Sequence, residues 1–446
     1  MKSEHRLLSR RTFLQKAGQI GAATGLLATG GFPTLRRARA QDKKSVTLRY
    51  WTFLNPKDPN PRSQAQNQIL ESFEAKYPHI KVSVEIVPWQ TTGLQLIQAA
   101  QAGKTPDVIS MFNLYLAQQV AAKTILPLDE YLQGWSPEQQ QDFIYPLEQV
   151  SFEGRRMAFF RDLRVRLLWY RKDWLGEAGF GTPRSWEELA RAAQAVTTGR
   201  RTGFTMAMER SRDKGVQLGQ FMISNLWAQG INILDDQGKA NFNNEAGARI
   251  FQFLYDLVHT YKAMPLSVIS VDSDTSLQMI KSGATAMITE GSHRVSTARA
   301  GQGVGMNLAT TPIPSPEPDK PCPALTTGQV LMMGKDCKNR EEAWLFIEHS
   351  ISPEQQALIG KVAQEMPTRK SSYQDPWFKT PEAAEMLAWV EYVQKTSRPF
   401  IFPEKVEILF DTIAGAAQEV ITRRKPIPQA LEEAAARWNK EKGGGS

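Results

Sequence analysis

Residues 153–189 read EGRRMAFFRDLRVRLLWYRKDWLGEAGFGTPRSWEEL, and this stretch decides the fold. Near its centre apolar and charged side chains alternate: the apolar set is Leu163, Val165 and Leu167, and the charged set is Asp162, Arg164 and Arg166. A period of two residues predicts a β-strand with one buried face and one polar face. We expect the polar face to meet water, a partner or a ligand. An edge strand that shows its arginines to solvent is the alternative.

The segments on either side of this strand carry turn and helix signals. Gly154 marks a turn ahead of it, and a short helix is expected to start near Asp173. Ser185 is followed three residues later by Glu188, which predicts a capping box at the start of a second helix. The stretch therefore indicates a strand that leads directly into helices.

The rest of the chain alternates strands with helices. Residues 46–53, 80–86 and 106–112 have strand patterns, and residues 63–76 and 94–103 between them have helical patterns. This β-α-β-α-β order is typical of a parallel sheet covered by helices. Beyond residue 189 the same alternation predicts strands at 203–208, 284–289 and 329–333, helices at 217–229 and 340–349, and a helical tail to about residue 440. The fold class is α/β.

Proline is concentrated between residues 310 and 323, where six prolines occur. A strand and a helix follow at once, so the segment is interpreted as a loop and not as a domain linker. Together with the stretch at 157–163, residues 306–316 are predicted to be a crossing of the chain, with a third crossing near 350–365.

Several motifs, taken in order, resemble the extracellular solute-binding proteins of ABC sugar importers, of the maltose-binding type. They are Gly154-Arg155 with Ala158, residues 169–175 (WYRKDWL), residues 183–189 (PRSWEEL), residues 105–109 (TPDVI), residues 126–130 (LPLDE), the helix at 341–347 and residues 366–369 (MPTR). Phe160 and Arg171 depart from the family pattern, which commonly has proline and asparagine there. The resemblance implies a two-lobed periplasmic-binding-protein fold with a hinge. Residues 41–158 and 312–355 would form lobe 1, residues 159–311 and 356–440 lobe 2, and residues 441–446 a flexible tail.

The positive charge of the chain is concentrated at its start. The whole sequence has a formal charge of +8, and residues 1–40 hold eight basic residues against one acidic residue, which leaves +1 for residues 41–446. A body this close to neutral gives no charge-based indication of nucleic-acid binding. Residues 9–15 (SRRTFLQ), a Gly- and Ala-rich stretch and the Ala38-Arg39-Ala40 site predict a cleaved twin-arginine signal peptide at 1–40. We expect an extracytoplasmic protein without a lipid anchor.

The sequence lacks the usual motifs for catalysis and metal binding. The five histidines have no zinc-site spacing, and the glycines at 301–305 lack the full nucleotide-binding pattern. Cys322 and Cys337 flank a predicted strand, which would hold them too far apart for a disulfide. The sequence therefore predicts no catalytic residues, no metal and no cofactor. An exported hydrolase and a sensory ligand-binding subunit remain alternatives.

The resemblance implies a monomeric protein that captures a sugar or oligosaccharide in a cleft between its lobes and delivers it to membrane permease subunits. Aromatic faces would cover pyranose rings, and charged or amide groups would bond their hydroxyls. Strand ends and the resemblance select these candidate ligand-binding residues: Thr52, Asn55, Asn113, Tyr115, Arg161, Asp162, Arg164, Trp227, Glu290, Gly291, His293, Gly328 and Arg369. Because Asp162 offsets part of the arginine charge, a neutral ligand is favoured, with an acidic sugar or sugar phosphate as the alternative.

Overall fold

The computed structural model describes residues 44–211, 214–318 and 320–443. The predicted signal peptide at 1–40 lies outside these residues, as do residues 444–446 of the predicted tail. In the described ranges, no helix is both long and apolar enough to span a membrane.

The strands, in chain order, are β1 (Val46–Thr52), β2 (Ile80–Ile86), β3 (Val108–Phe112), β4 (Ile125–Leu126), β5 (Ser151–Phe152), β6 (Arg155–Arg156), β7 (Phe159–Phe160), β8 (Arg164–Arg171), β9 (Thr202–Thr205), β10 (Thr285–Gly291), β11 (Leu308–Pro312), β12 (Thr326–Thr327) and β13 (Gln329–Gly334).

The α-helices are α1 (Pro61–Lys76), α2 (Thr92–Gln101), α3 (Leu116–Ala121), α4 (Pro137–Gln141), α5 (Lys172–Glu177), α6 (Trp186–Val196), α7 (Val216–Ala228), α8 (Glu245–His259), α9 (Ser273–Ser282), α10 (Val295–Arg299), α11 (Arg340–Ser350), α12 (Pro353–Leu358), α13 (Ala384–Thr396), α14 (Val406–Ile421) and α15 (Ile427–Gly443). Short 3₁₀ helices connect many of them, and α12 continues into a π-helical turn at Ile359–Ala363.

The strands form two main sheets, one in each lobe. In the first, the order is β2-β1-β3-β13-β4, with β7 also paired to β13; β2, β1 and β3 are parallel, and β13 is antiparallel to β3. In the second, the order is β11-β8-β10-β9, with β12 also paired to β8. The β-α-β-α-β unit predicted from residues 46–112 is thus the parallel part of the first sheet. The two-lobed α/β fold class is confirmed.

Strand β8 differs from its prediction, because both of its faces are buried from Arg164 to Arg171. It lies inside the second sheet, between β10 and β11, so the edge-strand interpretation is wrong. The polar face exists but meets internal partners: Arg164 Nε donates to Asp162 Oδ1 at 2.7 Å and Arg166 Nη2 donates to Gln220 Oε1 at 2.7 Å. Buried guanidiniums are tolerated where such partners are present.

The chain passes between the sheets at residues 161–163 and again at Gly328. The first passage joins β7 to β8, and the second joins β12, which pairs with β8, to β13. The two passages lie side by side, since Arg161 N donates to Gln329 O at 2.7 Å. The second passage comes later than the predicted 306–316, because β11 pairs along its length with β8. Proline content indicated a loop there but could not indicate which sheet the loop follows.

A third passage follows the π-helical turn. Ile359 and Ala363 pack against Ala65 and Ile69 of α1, which covers the first sheet. Further on, Trp389 of α13 donates from Nε1 to Thr310 Oγ1 of β11, in the second sheet, at 2.9 Å. The chain therefore returns to the second lobe between these two contacts.

The helix ends follow signals that the sequence carries. The Ser185 side chain accepts a hydrogen bond from Glu188 N at 3.2 Å and caps α6. The Asn244 side chain caps α8 by accepting from Gly247 N at 3.1 Å. Helix α9 ends at Gly283, whose φ of 77° is a left-handed conformation that glycine adopts without penalty.

Both cysteines are buried free thiols. Burial raises the pKa of Cys337 to about 12 and also raises the pKa of Cys322. Since the thiolate is the reactive form, neither thiol is set up for chemistry in the folded protein.

Candidate ligand-binding cleft

A cavity of about 300 Å³ lies between the two sheets. From the first sheet and its helices it is lined by Phe53, Arg62, Trp89, Gln90, Phe112 and Gln329. From the second lobe the lining is Arg164, Val165, Arg166, Val216, Gln217, Gln220, Ser273, Asp274, Glu290, Gly291, His293 and Arg294, with Thr327 on the passage between them. Both lobes therefore contribute side chains to one concave site, the usual form of a small-molecule site.

The first lobe contributes an aromatic wall. Phe53 follows β1, Trp89 follows β2, and Phe112 ends β3, so the three rings stand where parallel strands end. The rings of Trp89 and Phe112 meet edge to face, with centroids 6.1 Å apart and planes at 87°. All three are only partly buried, which leaves apolar ring surface facing the cavity. Such faces can cover the C–H surface of a sugar ring.

A buried cluster of charges lies at the base of the cavity, where the lobes meet. We call Arg62, Arg161, Asp162, Arg164 and Glu365 the junction cluster. Arg62 Nε is 2.7 Å and Arg164 Nη2 is 3.5 Å from Glu365 Oε1. Arg161 Nη1 is 3.0 Å from Asp162 Oδ2 and 3.4 Å from Glu365 Oε2. Both carboxylate side chains have no solvent exposure. The cluster fixes α1 of the first lobe to the strand passage.

The electrostatics of the junction cluster follow from its burial. Burial alone would raise the pKa of Asp162, but attraction to Arg164 and Arg161 outweighs it and keeps that pKa below its usual value. Burial lowers the pKa of Arg62 to about 10, against the pull of Glu365. Asp162 and Arg62 are therefore both charged at neutral pH.

The second lobe contributes a polar wall of donors and acceptors. Gln220 Oε1 accepts from Arg166 Nε and Nη2 at 3.0 and 2.7 Å, which leaves Gln220 Nε2 buried without a hydrogen bond to any residue that the structure describes. Glu290 Oε1 accepts from Gly291 N at 2.7 Å. Within the described part of the chain its Oε2 makes no hydrogen bond, although Arg294 Nη1 is 3.6 Å away. Because buried polar groups are normally paired, these atoms point to a polar ligand.

Four of the predicted site residues line the cavity: Arg164, Glu290, Gly291 and His293. Gly291 lets the His293 ring approach the backbone closely, since a Cβ at this position would lie 2.6 Å from that ring. Arg161 and Asp162 lie behind Arg164 in the junction cluster.

Asn113 and Gly328 stand next to the cavity and hold the second passage together. Asn113 Oδ1 accepts from Gly328 N at 3.2 Å, and Asn113 N donates to Gly328 O at 3.0 Å. A Cβ on Gly328 would lie 2.0 Å from the carbonyl oxygen of Asp162. These two residues position the backbone and do not line the cavity.

The remaining predicted residues have other surroundings. Thr52 Oγ1 accepts from Leu54 N at 3.1 Å, and Asn55 Oδ1 accepts from Lys57 N at 3.1 Å in the loop after β1. Tyr115 and Trp227 are buried in the hydrophobic core, where the Trp227 ring meets Phe400. Arg369 Nε donates to Asp142 Oδ2 at 2.9 Å, and its guanidinium lies over the rings of Trp135 and Phe143. The structure does not bring these five residues to the cavity.

Sequence reasoning missed several cavity residues. Trp89 follows the end of strand β2 after Val87 and Pro88, so the strand-end rule applied to β1 and β3 would have found it. Arg62 lies in the first turn of α1, directly after Pro61, and Gln220 lies within α7. No local pattern distinguishes these two from ordinary helix residues.

His293 gives the cleft a pH-dependent contribution to stability. Burial, together with the positive charges of Arg164, Arg62, Arg294 and Arg166, holds the pKa of His293 well below 6.5. In the unfolded chain this side chain takes up a proton near pH 6.5, so stability falls as the pH drops from there towards the folded pKa. One proton accounts for at most about 1.4 kcal/mol per pH unit.

We therefore expect His293→Gln to lose less stability than the wild type between pH 7.5 and pH 5.5. Urea unfolding at both pH values measures this difference. His349, whose pKa burial also lowers, is present in both proteins and does not affect the comparison. Equal losses in the two proteins would contradict the assignment.

Two lobes joined by several chain passages around a lined cleft define the two-lobed class of solute-binding proteins. Residues 58–357 match the family model described as bacterial extracellular solute-binding protein, and the chain belongs to that family. The resemblance drawn from the sequence motifs is confirmed. The family is one of extracellular proteins that bind a substrate.

Relatives and solved structures agree with this assignment. A binding protein of Brucella abortus (strain 2308) is 21% identical over 374 residues, which is 83% of this chain and 88% of the relative. An ABC transporter-binding protein of Deinococcus radiodurans is 22% identical over 305 residues, 65% of this chain and 69% of the relative.

Among solved structures, maltose-bound MalE3 of T. maritima superposes with a TM-score of 0.76 at 23% identity, covering 89% of this chain and all of that one. The GacH receptor of Streptomyces glaucescens, solved unliganded and with acarbose, has a TM-score of 0.75 at 22% identity over 90% of this chain and 100% of that chain. At these identities the likeness establishes the fold.

Proposed function

We propose that the protein captures a carbohydrate outside the cytoplasm and delivers it to the permease of an ABC importer. The observation that carries this proposal is the composition of the cleft. An aromatic wall from one lobe faces a polar wall from the other across about 300 Å³. A sugar presents the matching chemistry, with apolar C–H faces and a rim of hydroxyls that donate and accept hydrogen bonds.

The solved relatives support a sugar as the ligand. Chains of the same fold were solved with maltose, with acarbose and with α-D-tagatose. Each of those ligands is rich in hydroxyl groups. The unpaired Gln220 Nε2 donor and Glu290 Oε2 acceptor of this chain suit such groups.

Binding without catalysis is part of the proposal. Glycoside hydrolysis requires two carboxyl groups that flank the scissile bond. In this cleft Glu290 and Asp274 both form ion pairs with Arg294, so neither is arranged as a free acid or nucleophile. The cleft is better suited to holding a sugar than to cleaving one.

Export and delivery complete the proposal. The twin-arginine signal at residues 1–40 would direct the protein across the membrane, and the mature monomer would carry no lipid anchor. Because both lobes line the cavity, a ligand contacts both and favours the closed arrangement. Closure would then present the loaded protein to the permease.

A carbohydrate panel tests this function. A bound sugar should raise the melting temperature, since a ligand that binds only the folded state stabilises it by RT ln(1 + [L]/Kd). With the best ligand, Trp89→Ala should weaken binding by about 1–2 kcal/mol, because one ring face is lost. Titration calorimetry measures the affinity.

The control is Trp377→Ala, which removes a partly buried tryptophan that packs on Phe378 and does not line the cavity. It should leave the affinity unchanged. A panel in which no carbohydrate stabilises the protein would refute the proposed function.

A further inference from the structure

The junction cluster has more positive than negative charge. Three guanidiniums, of Arg62, Arg161 and Arg164, share the two carboxylates of Asp162 and Glu365. In each of the three arginines the Nη2 atom is buried and makes no hydrogen bond to any described residue. Three guanidiniums against two carboxylates leave one positive charge in excess, and a buried charge without a counter-charge is costly.

Two of the three arginines of the cluster reach the cavity. Arg62 and Arg164 both line the cavity, whereas Arg161 is only 1% exposed behind them. Arg62 Nε and Arg164 Nη2 approach the same oxygen, Glu365 Oε1, which sets the two guanidiniums side by side. Arg62 belongs to α1 of the first lobe and Arg164 to β8 of the second, so an anion bound to both would bridge the lobes.

The other charges of the cleft do not supply this anion. Across the cavity Arg166 and Arg294 are matched in number by Glu290 and Asp274, with Arg294 paired to both carboxylates. His293 is held neutral at pH 7 because its pKa lies well below 6.5. The surplus of one positive charge therefore stays at Arg62 and Arg164.

We propose that the carbohydrate bound by this protein is acidic, and that a sugar carboxylate, as in a hexuronic acid, binds between Arg62 and Arg164. This inference rests on the proposed function and specifies its ligand. A carboxylate brings one negative charge, which matches the surplus, while a phosphate dianion would exceed it. Guanidiniums bind carboxylates in a paired, directional geometry that suits this position.

This surplus of positive charge favours an acidic ligand over the neutral ligand that the sequence favours. That preference assumed that Asp162 offsets the charge of Arg164. In the structure Asp162 is shared between Arg161 and Arg164, so it cannot neutralise both. Gln220 Nε2 and Glu290 Oε2, on the opposite wall, remain available for the ring hydroxyls.

Matched sugars test the inference on the full mature chain. Titration calorimetry would compare glucuronic acid, glucose and glucose 6-phosphate, the corresponding galactose set, and disaccharides that end in a hexuronic acid or in its neutral counterpart. We expect an acidic sugar to bind at least about tenfold tighter than its neutral counterpart, with an affinity that falls as salt rises.

Arg62→Gln should remove that preference, with a loss of about tenfold to a hundredfold for the acidic sugar and little change for the neutral one. Arg191→Gln is the control, because Arg191 is exposed on α6, where its guanidinium pairs with the exposed Glu187. It should leave both affinities unchanged.

The outcomes separate the two proposals. Equal or tighter binding of the neutral sugar by the wild type would overturn the acidic ligand and leave the carbohydrate function standing. Tighter binding of a sugar phosphate would overturn the carboxylate. Binding of no sugar in the panel would overturn both proposals. None of these comparisons depends on whether a variant folds, because each uses the wild-type protein.

Discussion

Glu365→Gln should lower the free energy of unfolding by about 3–5 kcal/mol, the usual cost of removing one partner of a buried ion pair. The Glu365 carboxylate has no solvent exposure and lies within 3.5 Å of Arg62, Arg161 and Arg164. The variant would leave three guanidiniums with Asp162 as their carboxylate. The glutamine side chain would also place its NH₂ donor next to guanidiniums, which donate hydrogen bonds and accept none.

Urea unfolding at pH 7 measures this loss, with Arg62→Gln as the matched control. Removing Arg62 leaves two guanidiniums with two carboxylates, so we expect its effect to stay within about 1 kcal/mol. The double variant should be more stable than Glu365→Gln alone, because it restores part of the charge balance. A Glu365→Gln protein as stable as the wild type would contradict the charge account of the junction cluster.

Gly328→Ala is expected to cost about 3 kcal/mol, at the upper end of the usual range for overpacking. A Cβ at this position would lie 2.0 Å from Asp162 O and 3.0 Å from Phe160 Cδ1. The first of these contacts is with backbone, so the two strand passages would have to move apart. That movement would also disturb the Asn113 hydrogen bonds to Gly328.

The matched control for this substitution is Gly181→Ala, where an added Cβ has nothing within 4 Å. It should change stability by less than about 0.5 kcal/mol. If Gly328→Ala unfolds at the same urea concentration as this control, the passages are not packed as described.

Much of the fold could be predicted because local patterns set it. Alternation in residues 80–86 predicted strand β2 with the bounds that the structure has. The capping role of Ser185 at the start of α6 followed from its spacing to Glu188. In these elements the signal and the structure both lie within a few residues of chain.

The candidate site was only partly predictable because it depends on contacts between distant residues. Arg62 and Glu365 form an ion pair although 303 positions separate them in the chain. Glu365 also pairs with Arg161, which in turn pairs with Asp162, and these contacts hold both residues behind the cavity. A polar face on a strand is expected to meet water when its partners are unknown, and here those partners come from α1 and from the segment after the π-helical turn.

Residues chosen from the family resemblance show a related limit. Tyr115, Trp227 and Arg369 occur in suitable loops or helices, yet their side chains pack within a lobe. Arg164, Glu290, Gly291 and His293 reach the cavity because β8 and β10 are neighbours in the second sheet. Sequence position alone does not distinguish these two groups, since the difference arises from strand order.

A crystal structure of the protein with the tightest-binding acidic sugar would show whether the carboxylate binds at the junction cluster. We expect the sugar ring to lie against Trp89 and Phe112 in the cavity between the lobes, with its carboxylate between Arg62 and Arg164. Electron density for the sugar outside this cavity would contradict this expectation. So would a sugar whose carboxylate faces solvent while its hydroxyls contact the two arginines.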